Sequence, residues 1–171
     1  EMAAEADGGI DAYDALTQLA AEAPPGAEGL LFLPYLSGER TPYPDPSARG
    51  SFVGLSLRHG RAHLTRAVLE GVSYGLNDSL SLMRQLGIEP DRVILSGGGA
   101  RSKFWRQMLA DVFAARCELL NATEGAAYGA ALLAAVGVGI YDSVESACET
   151  CIRVTDQTEV GPNKDVYAEF Y

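Results

Sequence analysis

From Arg92 onward, short apolar runs of strand length alternate with helix-length patterns, and this alternation constrains the fold more than any other feature of the chain. Arg92 to Ser96 reads as a buried-type strand, Gly97 to Gly99 as a turn, and Ser102 to Ala115 as a helix. In that helix Phe104, Met108 and Val112 stand beside Trp105, Leu109 and Phe113. A brief strand follows at Cys117 to Asn121, then a helix of small residues from Glu124 to Val136 closed by Gly137 and Gly139. Ile152 to Thr155 reads as one more strand, and Pro162 to Tyr171 opens a helix that the chain does not finish. Strands separated by helices predict an α/β architecture around a central sheet.

The first half adds a different pattern. Ala12 to Ala23 is expected to be helical, with Leu16, Leu19 and Ala20 on one face, until Pro24-Pro25-Gly26 stops it. Gly29 to Leu36 and Ser51 to Leu57 read as strands, and their long pairing would make the sheet a mixed one. Between them, Ser37 to Gly50 holds Pro42, Pro44 and Pro46, a loop length that is usually functional or mobile. His63 to Leu86 carries the clearest helical pattern, with Leu64, Val68, Val72, Leu76 and Leu80 at four-residue spacing, Met83 and Leu86 extending the face, and Gly87 placed as a C-terminal cap. There is no internal repeat and no low-complexity tract.

Composition narrows the function classes. With 47 % apolar and 21 % charged residues in 171, the chain can bury a core and is sized as one domain or a large piece of a bigger one. No apolar run approaches the ~20 residues of a membrane span. The acidic start (Glu1, Glu5, Asp7) is unlike a signal peptide, so a cytoplasmic protein is expected. A net charge of −10 argues against nucleic acid as a partner. The charge is uneven: residues 1–28 and 117–171 each net −7, whereas 29–116 nets +4. An anionic ligand would therefore be sought in the middle, unless the clustering is only solvated surface charge.

Three cysteines, an odd number, read as reduced thiols. Cys148 and Cys151 form a C-x-x-C, but zinc would need two more ligands, and His59 and His63 lie far off without matching spacing. A redox pair would follow a strand and open a helix, whereas this one precedes the apolar run at Ile152.

The informative local feature is the strand–turn–helix from Val93 to Phe104. Gly97, Gly98 and Gly99 leave the turn free of side chains, so a flat or bulky ligand can approach the backbone. The helix that starts near Ser102 aims its free N–H groups at the same space, with Arg101 and Lys103 beside the cap. A tight turn with an ordinary serine cap is the plain alternative. Gly97-x-Gly99-x-x-Ser102 approaches a dinucleotide fingerprint, but the third glycine is missing and Asn121 stands where the acid of the next strand belongs. Gly125, Ala126, Gly129 and Ala130 form a small face suited to close packing. Arg40 could reach a phosphate or pair with Glu39 or Asp45, Arg49 reads as structural, and His63 has no chemical role.

Four ordered blocks carry a family resemblance. G-L-L-F-L-P-Y-L-S-G-E-R-T-P (Gly29 to Pro42) with D-P-S-A-R-G (Asp45 to Gly50) resembles the C-terminal domain of the FGGY carbohydrate kinases, nearest to the xylulokinases within them. Gly50 through Gly54-Leu55 to His63-Leu64 and Ala67 to Glu70 fits the family's second signature. S-G-G-G-A-R-S (Ser96 to Ser102) and E-G-A-A-Y-G-A-A (Glu124 to Ala131) follow at suitable spacing. The likeness runs from about Pro25 to Tyr171.

The resemblance implies a ribonuclease-H-like lobe of the actin and hexokinase type, with a mixed central sheet flanked by helices. Residues 1–171 would be the C-terminal nucleotide-binding lobe, truncated on its N-terminal side and at its final helix. Gly97, Gly98, Gly99 and Ala100 would form the adenosine turn, and Gly98 and Ser102 match positions that contact nucleotide in relatives. The Gly125 and Gly129 helix matches an interdomain connector on which lobes close. ATP with Mg2+ is the implied cofactor pair. The sugar would bind mainly to another lobe, which also carries the general base and the phosphate loops (Asp-x-Gly-Thr and Gly-Thr-Ser), none of which occurs here. The complete enzyme is expected to phosphorylate D-xylulose, and this chain alone is expected to be inactive. Another FGGY kinase, such as one acting on gluconate, ribulose or glycerol, or a non-catalytic nucleotide module, are the alternatives; a homodimer is compatible with all of them.

Overall fold

The structure, a computed structural model, describes residues 11–122 and 125–171. Helix α1 (Ala12–Ala21) is opened by Asp11, whose carboxylate accepts from the Tyr13 N–H. It buries only Ala20 fully, and Leu16 is exposed. A left-handed Gly26 and a short 3-10 turn at Ala27–Gly29 lead into β1 (Leu31–Leu33), which pairs antiparallel with β2 (Ser51–Val53) through Phe32 and Phe52. Both strands are shorter than the apolar runs predict. Pro34 has no N–H to give a ladder, so β1 ends after three residues.

Helix α2 (Arg61–Gln85) is the longest element. It ends in a Schellman motif, with Gly87 N–H bonded to Arg84 O at 2.9 Å and Ile88 N–H to Met83 O at 3.0 Å. Its buried face is not the leucine stripe expected from sequence. Arg66, Ala67, Glu70, Gly71, Ser73, Asn77 and Leu80 face inward, while Leu76, Met83 and Leu86 are exposed. A strict four-residue repeat drifts about 40° per step around a 3.6-residue helix, so Leu64, Val68, Val72 and Leu76 wind off the contact line. Gly71 is where α2 crosses β1: a Cβ there would run into the Phe32 carbonyl oxygen and lie 3.0 Å from its carbon.

The second half builds a three-stranded sheet in the order β3-β4-β5. Strand β3 (Arg92–Leu95) is parallel to β4 (Arg116–Leu120), and helix α3 (Lys103–Phe113) forms the crossover between them. Strand β5 (Val154–Thr158) runs antiparallel to β4 with an irregularity at Leu119/Leu120. The sheet is mixed as expected, but β1 and β2 form a separate pair, and β3 is half-exposed, with Ile94 turned to solvent. Helices α4 (Gly125–Gly137) and α5 (Val144–Cys151) follow β4, and α6 (Lys164–Phe170) closes the chain. Glu124, the expected first residue of α4, lies outside the described residues. Sequence reading gave no helix at α5, which Ser143 opens by accepting from the Ser146 N–H at 3.2 Å. The main core gathers Leu80, Met108, Leu109, Val112, Phe113, Cys117 and Tyr167, and a smaller one joins Ala27, Leu30 and Ala67.

Candidate functional site

The C-terminal ends of the parallel strands β3 and β4 open onto two joined cavities. Ligands of α/β sheets gather at such ends, because the loops and helix N-termini that follow parallel strands converge there. Gly97 leaves β3 with φ of 88°, a conformation in which a side chain would be strained, and Gly98 to Arg101 coil into one 3-10 turn. The turn is closed by Ala100 N–H on Gly97 O and Ser102 N–H on Gly99 O, both at 3.2 Å. Ser102 then caps α3, its Oγ accepting from Trp105 N–H at 3.2 Å.

The first cavity, about 130 Å³, is walled by Ser96, Gly97, Gly98, Ala100 and Arg101, with Leu119 and Leu120 from β4 opposite. It adjoins a more apolar cavity of about 350 Å³ that shares Leu95, Ser96, Leu120 and Ala122 and is bounded by Tyr128, Leu132 and Cys148 of α4 and α5. Gly97 and Gly98 are exposed, and a Cβ on either would meet nothing within 4 Å. The turn thus offers bare backbone to whatever fills the space.

The five residues expected to bind ligand separate in the structure. Gly97, Gly98 and Ala100 line the first cavity. Gly99 is not among its lining residues: the Trp105 ring lies against it, in the room a Cβ would take. Ser102 stands one residue beyond the turn with its hydroxyl engaged as the helix cap. Arg101 is on the wall, and Lys103 is exposed beside it. The far walls from β4, α4 and α5 were not found in the sequence, because nothing local marks residues that reach the turn only through folding.

The remaining candidates sit elsewhere. Arg40 is exposed and has no ion pair among the described residues; its backbone N–H and that of Thr41 donate to Glu39 Oε1 at 2.6 and 2.9 Å. Those N–H groups, Thr41 first, hold the Glu39 carboxyl below its ordinary value. Backbone bonds between Glu39 and Asp45 tie the 37–50 loop to itself, and the Arg49 guanidinium donates to Pro46 O and Ala48 O, a structural role. His63 accepts from Gly60 N–H at the start of α2. Cys148 and Cys151 close α5 instead of opening a helix, and no group of three or more His, Cys, Asp or Glu among the described residues could hold a metal. The small face of α4 meets no packing partner at Gly125 or Gly129 among the described residues.

Residues 2–138 match the FGGY family of carbohydrate kinases, C-terminal domain. The chain belongs to that family. It is 44 % identical over 162 residues to a xylulose kinase of Staphylococcus epidermidis, covering 94 % of this chain and 33 % of the relative. A gluconokinase of Bacillus subtilis is 42 % identical over 142 residues, covering 82 % of this chain and 28 % of that one. The crystal structure of xylulose kinase from Rhodospirillum rubrum superposes with a TM-score of 0.80 at 38 % identity, over 96 % of this chain and 33 % of that one. The chain therefore spans about a third of the length of the FGGY relatives it matches. Its α/β lobe with a mixed sheet is the ribonuclease-H-like domain of these kinases, and the structural match, over 96 % of the chain, is longer than the span of the family match. Among the described residues no helix is long and apolar enough to cross a membrane.

Proposed function

We propose that this FGGY domain is the nucleotide-binding lobe of a xylulokinase-like sugar kinase, which moves the γ-phosphate of MgATP to a hydroxyl of D-xylulose. The observation that carries the reading is the bare turn Gly97-Gly98 at the carboxyl ends of β3 and β4, lining a cavity with Arg101 beside the N-terminus of α3. A Cβ at either position would meet no atom within 4 Å, and the residues present fit a nucleotide: backbone for a flat base or ribose, an arginine and a helix N-terminus for anionic oxygens. Gly97, Gly98 and Ala100 would hold the nucleoside directly, whereas Gly99 and Ser102 would shape the turn from behind. ATP, when bound, supplies the phosphoryl group.

The carboxylates here do not fit magnesium, since none are grouped for it among the described residues. No step of phosphoryl transfer is assigned to them. In this reading residues 1–171 are one lobe, and the sugar pocket, the base on the sugar hydroxyl and the metal ligands belong to another. The chain by itself then gives no turnover with MgATP and xylulose.

The test is Gly98→Val in the full-length kinase. Its Cβ finds open space and its φ is not left-handed, so stability should stay within about 1 kcal/mol. The branched side chain fills the turn, and the KM for ATP should rise tenfold or more, about 1.4 kcal/mol. Unchanged nucleotide affinity in a folded variant would remove the turn from the site. The gluconokinase likeness supports a second sugar, and a substrate screen with xylulose and gluconate separates the two.

A further inference from the structure

Two neighbouring residues of α3 grip two neighbouring residues of the glycine turn from behind. The Trp105 ring fills the space beside Gly99, and its Nε1–H donates to Ser73 Oγ on α2 at 3.1 Å. Arg106, 5 % exposed, donates from Nη1 to Ala100 O at 2.9 Å and from Nη2 to Asp156 Oδ2 on β5 at 2.6 Å. We propose that Arg106, held by Asp156, is a positioning residue that sets the shape of the ligand turn and couples it to β5. The inference rests on the reading of that turn as the nucleotide site.

Three observations carry it. Ala100 is the turn residue whose carbonyl leads back into α3, and it lines the cavity, so fixing its oxygen fixes the orientation of Gly97 and Gly98 ahead of it. Arg106 holds the turn with a planar fork spanning two acceptors, a geometry that a lysine cannot reproduce. Arg106 Nε also lacks a protein partner although it is buried. A buried ion pair with an idle donor adds little net stability, so stability alone does not account for Arg106. Asp156, by contrast, is 44 % exposed at its side chain, so its removal disturbs the clamp with little disturbance of the core.

The experiment compares Arg106→Lys, Asp156→Asn and the double variant in the full-length kinase, with Gly98→Val alongside. Arg106→Lys should raise the KM for ATP about tenfold and Asp156→Asn about threefold, with kcat and the KM for sugar little changed. If the pair acts as one clamp, the double variant is no worse than Arg106→Lys. Single-variant effects that multiply in full, or losses spread equally over kcat, sugar KM and Tm, overturn the clamp and leave an ordinary structural ion pair. If Gly98→Val also leaves ATP affinity unchanged, it is the site reading that fails. If Gly98→Val weakens ATP binding and Asp156→Asn does not, the site stands and the clamp falls. Were Arg106→Lys not to fold, Asp156→Asn alone decides.

Discussion

Arg66 and Glu70 make a buried ion pair on α2 whose two ends should respond very differently to removal. Arg66 Nε donates to Glu70 Oε1 at 2.7 Å, Nη1 to Ala23 O at 2.6 Å and Nη2 to Tyr167 Oη at 2.6 Å, and its carbon lies 5.3 Å from the centre of the Phe104 ring. One side chain therefore joins the end of α1, α2, α3 and α6. Arg66→Met keeps much of the aliphatic packing but strands a buried carboxylate, a carbonyl and a phenol. Removing one member of such a pair costs about 3–5 kcal/mol. Glu70→Gln is the milder change. The amide oxygen can still accept from Arg66 and from Gly26 N–H, now 2.9 Å from Oε1, and the new NH2 replaces Oε2, which has no protein partner. One unpartnered buried group is exchanged for another, so the net loss is mainly charge assistance, about 1 kcal/mol. Urea unfolding of both variants measures the difference. Arg66→Met within about 1 kcal/mol of the parent would falsify the reasoning.

The same pair sets a pH dependence. Burial pushes the Glu70 carboxyl above its ordinary 4.5, and Arg66 and the Gly26 N–H only partly offset it. Between 4.5 and that raised value the folded chain holds a proton that the unfolded chain has released. Stability from this group is therefore greatest below the window and falls as pH rises through it. The parent-minus-Glu70→Gln difference in unfolding free energy, measured from about pH 4 to about pH 8, should decline with pH, and a difference that grows with pH contradicts the assignment.

Two further outcomes follow from burial. Gly71→Ala should destabilise by about 1–3 kcal/mol although alanine favours helix, since its Cβ meets the Phe32 carbonyl and pushes α2 off β1; a raised urea midpoint would contradict that contact. Cys117 is buried, and burial first, then Asp111, pushes its thiol up to about 11. Thiol reagents near pH 8 should label half-buried Cys148 and Cys151 and reach Cys117 only after unfolding, read by peptide mass spectrometry; equal labelling rates would refute the burial argument.

Elements whose signals are local emerged from sequence close to their observed bounds. Ser102 caps α3 through its own hydroxyl, and Gly87 ends α2 through bonds made within five residues. What failed needed distant partners. The inward face of α2 is polar because Arg66 meets Tyr167 and Ser73 meets Trp105, contacts 101 and 32 residues away that no hydrophobic count can anticipate. Helix α5 escaped although Val144, Ala147, Cys148 and Cys151 stand at helical spacing, because eight residues hold a single such period and the two cysteines read as a thiol pair. The candidate site divides in the same way: its turn was visible, but the Trp105 ring against Gly99 and the walls from β4, α4 and α5 were not.

The basic middle of the chain shows why charge counting points loosely and geometry sharply. Residues 29–116 net +4, yet most of those cations are engaged by the protein's own carboxylates and carbonyls. Arg66 pairs with Glu70, Arg106 with Asp156, Arg92 and Arg116 both with Glu118, and Arg58 with Glu28, while Arg49 is folded onto its own loop. Arg101 is the cation on the cavity wall. In the proposed reading, attraction for an anion at this turn would come from Arg101, with Lys103 exposed beside it, and not from the regional average. An arginine in water is screened within about 8–10 Å at physiological salt. The site should therefore hold a phosphate by direct contact at close range, with little long-range steering. Raising ionic strength should weaken nucleotide binding only modestly, and a steep salt dependence would show that cations beyond Arg101 and Lys103 take part.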